Sequence, residues 1–241
     1  DFGAAFARPP IAMDGAATQT ALPNGSMSEH EAKALLAKAG IPVLPEELAA
    51  GPAQAADMAT DMGYPVVLKV VSPQIIHKTE IGGVALNLQT AKAVEDAAKG
   101  ILARAVAAHP DAVIEGLLVA PMAPSGVEMI LGVQRDPVFG PVVMCGLGGI
   151  FTEVLRDVTF RAAPFDLEEA TRMIDELKGQ AVLDGVRGRS GGDRAALGQA
   201  LVALSQFAVA HAENLETCDI NPFVLYENGG VALDAVIVSK D

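Results

Sequence analysis

"YPVVLKVVSPQIIHKTEIGGVALNL", Tyr64–Leu88, decides how the rest of the chain is read. Its "VVLKVV" core is a dense β-branched run, the signature of a buried strand, yet Lys69 stands in the middle of it. An ammonium flanked by valine and leucine has two ways out. It lies on an edge strand and reaches solvent, or it is covered and requires an anion nearby. The segment that follows is long enough to fold over a ligand, and Gly82 and Gly83 permit backbone N–H groups to turn toward phosphate oxygens. It fits neither the P-loop pattern nor the dinucleotide-binding fingerprint, and a glycine pair ahead of a strand is equally an ordinary turn. "GGVALNL" then places Val84, Leu86 and Leu88 on one face, which predicts a half-buried strand.

Outward from this stretch the elements alternate irregularly. Ser28 with Glu31 makes a capping box for a helix that Gly40 ends, and a second helix is expected over Ala53–Met62. Ala91–Ala108 reads as a helix, and "VIEGLLVAPM", "VEMILGVQRD" and "GPVVMCGLGG" read as three strands. Asp166, with Glu169 three positions on, caps a helix running to about Gly179; another spans Asp193–Glu213. Residues 1–26, rich in Ala, Pro, Gly and Thr, read as a linker or tail. The pattern is α+β: sheets flanked by helices rather than a βαβ series.

Composition narrows the function classes. At 241 residues with 51% apolar content the chain builds a core without staples, as one large domain or two lobes. A formal charge of −13, no Trp and two Tyr argue against nucleic acid and anionic membranes, while a few local cations still suit a small anionic ligand. No membrane span is visible. Cys145 and Cys218 are too few for a disulfide framework or a structural zinc site and read as buried small hydrophobes, which points to a cytoplasmic setting. The start, "DFGAAFARPP", has no Met and no signal-peptide pattern, and reads as a piece of a longer chain or a trimmed one.

The C-terminal "DINPFVLYENGGVALDAVIV" reads as a hairpin turning at Asn228–Gly229. With those two as the loop, Asn221 faces Val236 and Phe223 faces Asp234, so Asn221 and Asp234 are diagonal neighbours on one face, roughly 7 to 8 Å apart at the backbone. Asp219 shares that face by the period of two. An Asp and an Asn at this spacing can hold one Mg²⁺ and leave most of its shell to water and phosphate. Polar residues on a solvated strand face are the alternative. Gly146, Gly148 and Gly149, with Glu153 beyond, form a second glycine cluster that lets backbone approach a ligand. Arg187, Arg189 and Arg194 read as a solvated loop, and His30, His109 and His211 lack a metal-ligand spacing.

At these residues the chain resembles the ATP-grasp domain of NDP-forming acyl-CoA synthetases, the group that includes ADP-forming acetate-CoA ligase and, more distantly, the β subunit of succinyl-CoA synthetase. The resemblance covers about residues 27–240. It rests on blocks in order: "SEHEAKALLAKAGIPV", "GYPVVLKVVSPQIIHKTEIGGVAL", "EGLLVAPMAPSGVEMILGVQRDPVFGPVVMCGLGGIFTEVLRDVTFRAAP", "LDGVRGR" and "DINPF". It implies two α/β lobes, 27–115 and 116–240, with a nucleotide cleft between them. Lys69 resembles the strand lysine on the nucleotide phosphates. His77, Lys78 and Thr79, with Gly82 and Gly83, resemble the glycine-rich lid. Val119, Ala120, Pro121, Met122 and Ala123 resemble the hinge that pairs with adenine, although Ala120 replaces the glutamate of succinyl-CoA synthetase. Glu128 resembles the acid that holds ribose, and Asn221 and Asp234, with Asp219 as a further candidate, resemble the metal ligands.

The resemblance implies ATP/ADP and Mg²⁺ as cofactors and a CoA-binding ligase module as partner, in the same chain or another subunit. The implied reaction is acid + ATP + CoA ⇌ acyl-CoA + ADP + phosphate, through a phosphohistidine on that module. His77 is either a second phosphoryl relay or a hydrogen-bond donor to phosphate. A nucleotide-sensing regulatory domain, as in relatives fused to acetyltransferases, is the alternative function, and a scaffold without nucleotide is a third.

Overall fold

The computed structural model describes residues 22–75, 78–149, 157–185 and 190–240. In chain order they form β1 (Gly25–Ser26), α1 (Glu29–Lys38), β2 (Glu47–Ala49), α2 (Pro52–Met62), β3 (Val66–Val71), β4 (Val84–Leu88) and α3 (Ala91–Ala108). There follow β5 (Gly116–Pro121), β6 (Val127–Asp136), β7 (Gly140–Leu147), β8 (Val158–Ala162), α4 (Leu167–Asp175), a 3₁₀ turn (Gln180–Asp184) and α5 (Arg194–Ala210). The hairpin elements β9 (Leu215–Leu225), β10 (Gly230–Ala232) and β11 (Ala235–Ser239) close the chain.

Two compact units result. The smaller holds Ser28–Glu31 and Leu44–Pro124, the larger Met27 and what precedes it, Ala32–Val43 and Ser125–Asp241. The dividing line therefore falls after Pro124 rather than at 115/116, because β5 is an inner strand of the smaller unit's sheet. The expected tail is also shortened: Gly25–Ser26 pair with Ser239 and Val238 of β11.

The smaller unit's sheet has the order β2-β5-β3-β4. Val66, Leu68 and Val70 point to one face with Leu117 and Val119, and pack there with Ala55 and Ala59 of α2 and Val94 and Ile101 of α3. Helix α3 begins where Thr90 Oγ1 accepts the Ala93 N–H at 3.2 Å. Edge strand β4 departs from the expected alternation. Ala85 pairs with Leu68 and Leu88 with Val66, so Leu86 and Asn87 together oppose one residue, Val67. Asn87 sits at φ 57, the left-handed geometry of a β-bulge. The phase flips there: Ala85 and Leu88 pack on the core, and Leu86 is 59% exposed.

The larger unit's sheet has the order β1-β11-β9-β6-β7-β8, with β10 also on β9. Its core face carries Met129, Leu131, Val143, Cys145, Cys218, Ile220 and Phe223 against α4 and α5, through Met173, Ile174, Leu197, Leu201 and Leu204. Both cysteines are buried, as expected, and burial, aided by Asp157, pushes the Cys145 thiol up to about 12. The capping signals read correctly. Ser28 N–H donates to Glu31 at 3.1 Å, and Asp166 accepts from Glu169 N–H at 2.9 Å, although α4 ends at Asp175 rather than near Gly179.

The terminal hairpin is where register matters. The last pair is Leu225 with Gly230, so the loop is the four residues Tyr226–Gly229, not Asn228–Gly229 alone. Asp193 imposes this: its carboxylate accepts Gly229 N–H at 2.9 Å while its own N–H donates to Tyr226 O at 2.8 Å. The same carboxylate caps α5 through Ala196 N–H at 3.0 Å. The backbone N–H groups of Gly229 and Ala196 hold Asp193 below its ordinary 3.8. Its contribution to stability is thus present above that value and lost as pH falls through the lower, folded one. Asp193→Ala is expected to destabilise the chain by about 1–2 kcal/mol near neutral pH. Urea unfolding across pH 2–7 should show the difference shrinking in acid; a pH-independent difference would contradict this assignment.

Candidate functional site

Register also builds the oxygen-bearing face of the larger unit. Relative to the expected hairpin, β9 is shifted by two residues, an even slip that leaves every side chain on its expected face. Asn221 now lies opposite Asp234, with Asn221 N–H donating to Asp234 O at 3.2 Å and Leu233 N–H to Pro222 O at 3.0 Å. Asp219 shares the side away from the core, since Cys218 and Ile220 on either side of it are buried. Pro222 is tolerated inside an interior strand because β9 bulges there: Phe223 pairs with Met129 and Ile220 with Leu131, leaving Asn221 and Pro222 opposite Ile130. Glu128, paired with Val224, joins the same face of β6. The chain after β7 crosses its backbone closely, with Gly148 N–H donating to Glu128 O at 2.7 Å. A Cβ on Gly148 would come within 2.9 Å of the Glu128 carbonyl, which gives the glycine cluster its reason.

The side-chain oxygens of Asp219 and Asn221 on β9, and of Asp234 just before β11, are hard. Desolvation, followed by the charge of Asp234, pushes Asp219 above its ordinary 3.8, even though the side chain keeps solvent access. A carboxylate raised by burial and by a neighbouring acid, beside an amide oxygen, suits a divalent cation, which favours its charged form. Among the described residues no cluster of three or more His, Cys, Asp or Glu has metal-binding geometry, so water and phosphate would complete such a shell.

In the smaller unit the lysine question is settled. Strand β3 lies between β5 and β4, so Lys69 is not on an edge strand; its ammonium meets Glu29 Oε1 at 2.6 Å. Lys78 Nζ meets Glu29 Oε2 at 2.5 Å. The Glu29 side chain is 0% exposed, and those of Lys69 and Lys78 are 15% and 8% exposed. Glu29 is the anion that the sequence demanded without identifying.

The loop beyond Lys78 uses its glycines differently from the expectation. Gly82 N–H donates to Thr79 O at 3.1 Å and Gly83 N–H to Lys78 O at 2.7 Å. These amides close the turn rather than face a ligand. A Cβ on Gly83 would lie 2.8 Å from Val70 Cγ1, so the turn packs directly on β3. Arg104 of α3 fastens it from outside, Nε and Nη2 donating to Gly82 O at 3.0 and 2.8 Å. His77 lies outside the described residues, as do Glu153, Arg187 and Arg189. In the hinge, Val119 and Ala120 are buried in the sheet and Met122 N–H donates to Pro65 O at 2.9 Å, so an adenine contact by 119–123 does not rest on the Met122 amide.

The sequence of a family described as "ATP-grasp domain" matches residues 19–238. The chain belongs to the ATP-grasp family. It is 41% identical over 215 residues to the Pyrococcus furiosus "Acetate--CoA ligase [ADP-forming] I subunit beta", covering 89% of this chain and 92% of that protein. The "Acetate--CoA ligase [ADP-forming] I" of Archaeoglobus fulgidus is 43% identical over 195 residues, where the match spans 81% of this chain and only 28% of the relative. Structures of the dinucleotide forming acetyl-coenzyme A synthetase 1 of Ca. Korarchaeum cryptofilum superpose closely. One, in complex with coenzyme A, Ca-AMPCP and HgCl⁺, has a TM-score of 0.87 at 42% identity, covering 90% of this chain and 94% of that one. Another, with coenzyme A and Mg-AMPPCP and its phosphohistidine segment pointing towards the nucleotide binding site, has a TM-score of 0.78 at 39% identity, covering 90% and 93%. The ATP-grasp fold expected from the sequence is therefore that of this chain. Among the described residues no helix is long and apolar enough to cross a membrane.

Two outcomes follow from the geometry. Asp234→Ala should weaken Mg²⁺-dependent ADP binding about tenfold or more in calorimetry, with an unchanged melting temperature; lost folding with unchanged affinity per folded molecule would overturn the ligand assignment. Arg104→Ala should speed amide exchange at Gly82 and Gly83 while leaving global stability within about 1 kcal/mol of the parent.

Proposed function

We propose that this chain is the nucleotide-binding, phosphoryl-transferring component of an ADP-forming acyl-CoA synthetase: acid + ATP + CoA ⇌ acyl-CoA + ADP + phosphate. The observation that carries the reading is the face of β9 away from the core, where Asn221 lies opposite Asp234 and Asp219 stands two residues along the strand, opposite Val236. The family and the near full-length match to a β subunit support it. Because the chain spans only 28% of the A. fulgidus relative, the rest of the reaction is assigned to a CoA-binding module, in the same polypeptide or a second subunit.

In this reading each residue has a physical task. Lys69 and Lys78 bind phosphate oxygens, supplying positive charge where the transferred group is most negative. Asn221 and Asp234, with Asp219, would hold Mg²⁺, which when bound neutralises phosphate charge and fixes the orientation of the nucleotide. Glu128 accepts hydrogen bonds from ribose hydroxyls, and the backbone of 119–123 receives the base. Thr79 and the turn built on Gly82 and Gly83 frame the phosphate end. His77 either relays the phosphoryl group or donates a hydrogen bond to it. The phosphoryl acceptor is a histidine on the partner module, where the acid then takes the phosphoryl group and CoA takes the acyl group with release of phosphate, so phosphoryl transfer here is a matter of position and charge.

The experiment supplies γ-labelled ATP and Mg²⁺ to the chain together with a CoA-binding module from an ADP-forming synthetase. Label should appear on the module's histidine, and acyl-CoA should form when an acid and CoA are added. MgADP binding without label transfer to any supplied module would instead support a nucleotide-sensing domain. No thermal shift with millimolar MgATP or MgADP would remove the nucleotide reading.

A further inference from the structure

Strand β8 reverses the usual order of a sheet edge. Where one face of an antiparallel sheet is packed, apolar residues turn toward the core and polar ones away from it. Here Thr159 and Arg161 are the inward pair, both buried: Thr159 Oγ1 donates to Met173 O of α4 at 3.0 Å, and Arg161 Nε donates to Glu169 at 2.7 Å. The outward positions, Val158, Phe160 and Ala162, are all apolar. Phe160 pairs with Met144 of β7, and Val142 follows on the same face. The two cores among the described residues take in none of Val142, Met144, Val158 and Phe160, and Phe160 is 45% exposed.

Strand pairing joins this apolar strip to the oxygen-bearing face. Phe160 lies opposite Met144, Met144 opposite Gly132 and Gly132 opposite Asp219, a single row across β8, β7, β6 and β9. Three inter-strand steps put Phe160 roughly 14 Å from Asp219 at the backbone. Gly132 is the low point of the row. A Cβ there would meet Met144 Cε and Cys218 O at 3.4 Å, which is ordinary contact, so packing within the chain does not demand glycine at this position. Glycine weakens the middle of a strand, and its use there marks a place where a ligand or another backbone comes close.

We propose that the row Phe160–Met144–Gly132 is the docking track for the histidine-bearing segment of the CoA-binding module, whose apolar residues rest on Phe160 and Met144 while its backbone crosses Gly132. The inference rests on the phosphoryl-transfer reading above. In that reading the acceptor comes to a phosphate held beside Asn221 and Asp234, so the segment that carries it has to lie over this face. About four extended residues span the row. Phe160 supplies a large apolar anchor, and the unbranched Met144 side chain adapts to whatever lies against it. None of the three positions carries a charge, so this contact is the same for a histidine and for the anionic phosphohistidine that it becomes. The segment can therefore arrive and leave along one track.

The test uses the full chain, a CoA-binding module from an ADP-forming synthetase and γ-labelled MgATP, with the module's concentration varied. Phe160→Ser, at an exposed position, should leave MgADP affinity and melting temperature as in the parent, raise KM for the module about tenfold, and leave kcat at saturating module unchanged. Phe160→Leu, which restores an apolar surface, should recover most of the loss. Gly132→Ala raises a methyl group from the low point of the row and should also increase KM for the module; it stands in for Phe160→Ser if that variant does not fold. An unchanged KM for the module in folded Phe160→Ser, or in Gly132→Ala where that variant replaces it, overturns the proposal. So does weakened MgADP binding by Phe160→Ser, which would place the residue in the nucleotide site instead. Sedimentation of parent and Phe160→Ser addresses a different occupant: a parent dimer that the substitution dissociates, with module use unchanged, assigns the face to a second copy of this chain. The functional reading fails separately. A parent that labels no supplied module removes that reading and the track with it, whereas equal transfer by parent and variants at every module concentration removes only the track.

Discussion

Strand β9 is the constraint on which the larger unit turns. It has β6 on one side and β10 and β11 on the other, so its side chains have only two directions available. Cys218, Ile220, Phe223 and Leu225 take the core direction. Asp219 and Asn221 are left with the other, and no rearrangement of rotamers can undo that partition. The bulge at Asn221–Pro222 restores the core phase after the proline, which is how a residue unable to donate to the ladder sits in an interior strand.

That constraint explains why the oxygen face was legible before the turn was. The period of two fixes which side chains share a face; the turn fixes only how far the strands slide. Asn228–Gly229 is a strong hairpin signal, but Asp193, distant in sequence, takes the Gly229 amide and widens the loop to four residues. Local chemistry yielded to a long-range hydrogen bond. In β4 the reverse happened: alternation looked regular in "VALNL", and the left-handed Asn87 broke it. Asparagine tolerates that geometry, so the signal was present but weak.

Other residues hid behind a familiar spacing. Glu29 and Lys33 lie four apart on α1, which reads from sequence as an ordinary pair on a helix surface. In the fold they part company. Glu29 turns to Lys69 and Lys78, while Lys33, itself buried, donates to Leu233 O, the residue before Asp234. The need for an anion near Lys69 could be deduced from its apolar neighbours; the identity of that anion could not, because it comes from 40 positions away. The fold class and the family were readable because many individually weak blocks occur in order, whereas the partners of buried charges depend on chain crossings that no local pattern records.

The bulge in β4 has one more consequence. A straight edge strand offers a row of unpaired amides to any extended chain it meets, and the apolar content of this protein would favour such encounters. Asn87 interrupts that row and twists the edge, so a second molecule cannot zip along it in register. Leu86, which the bulge exposes, is left as an isolated apolar side chain rather than one tooth of a continuous seam. The local irregularity that spoils a tidy alternation thereby works against self-association at the edge of the smaller sheet.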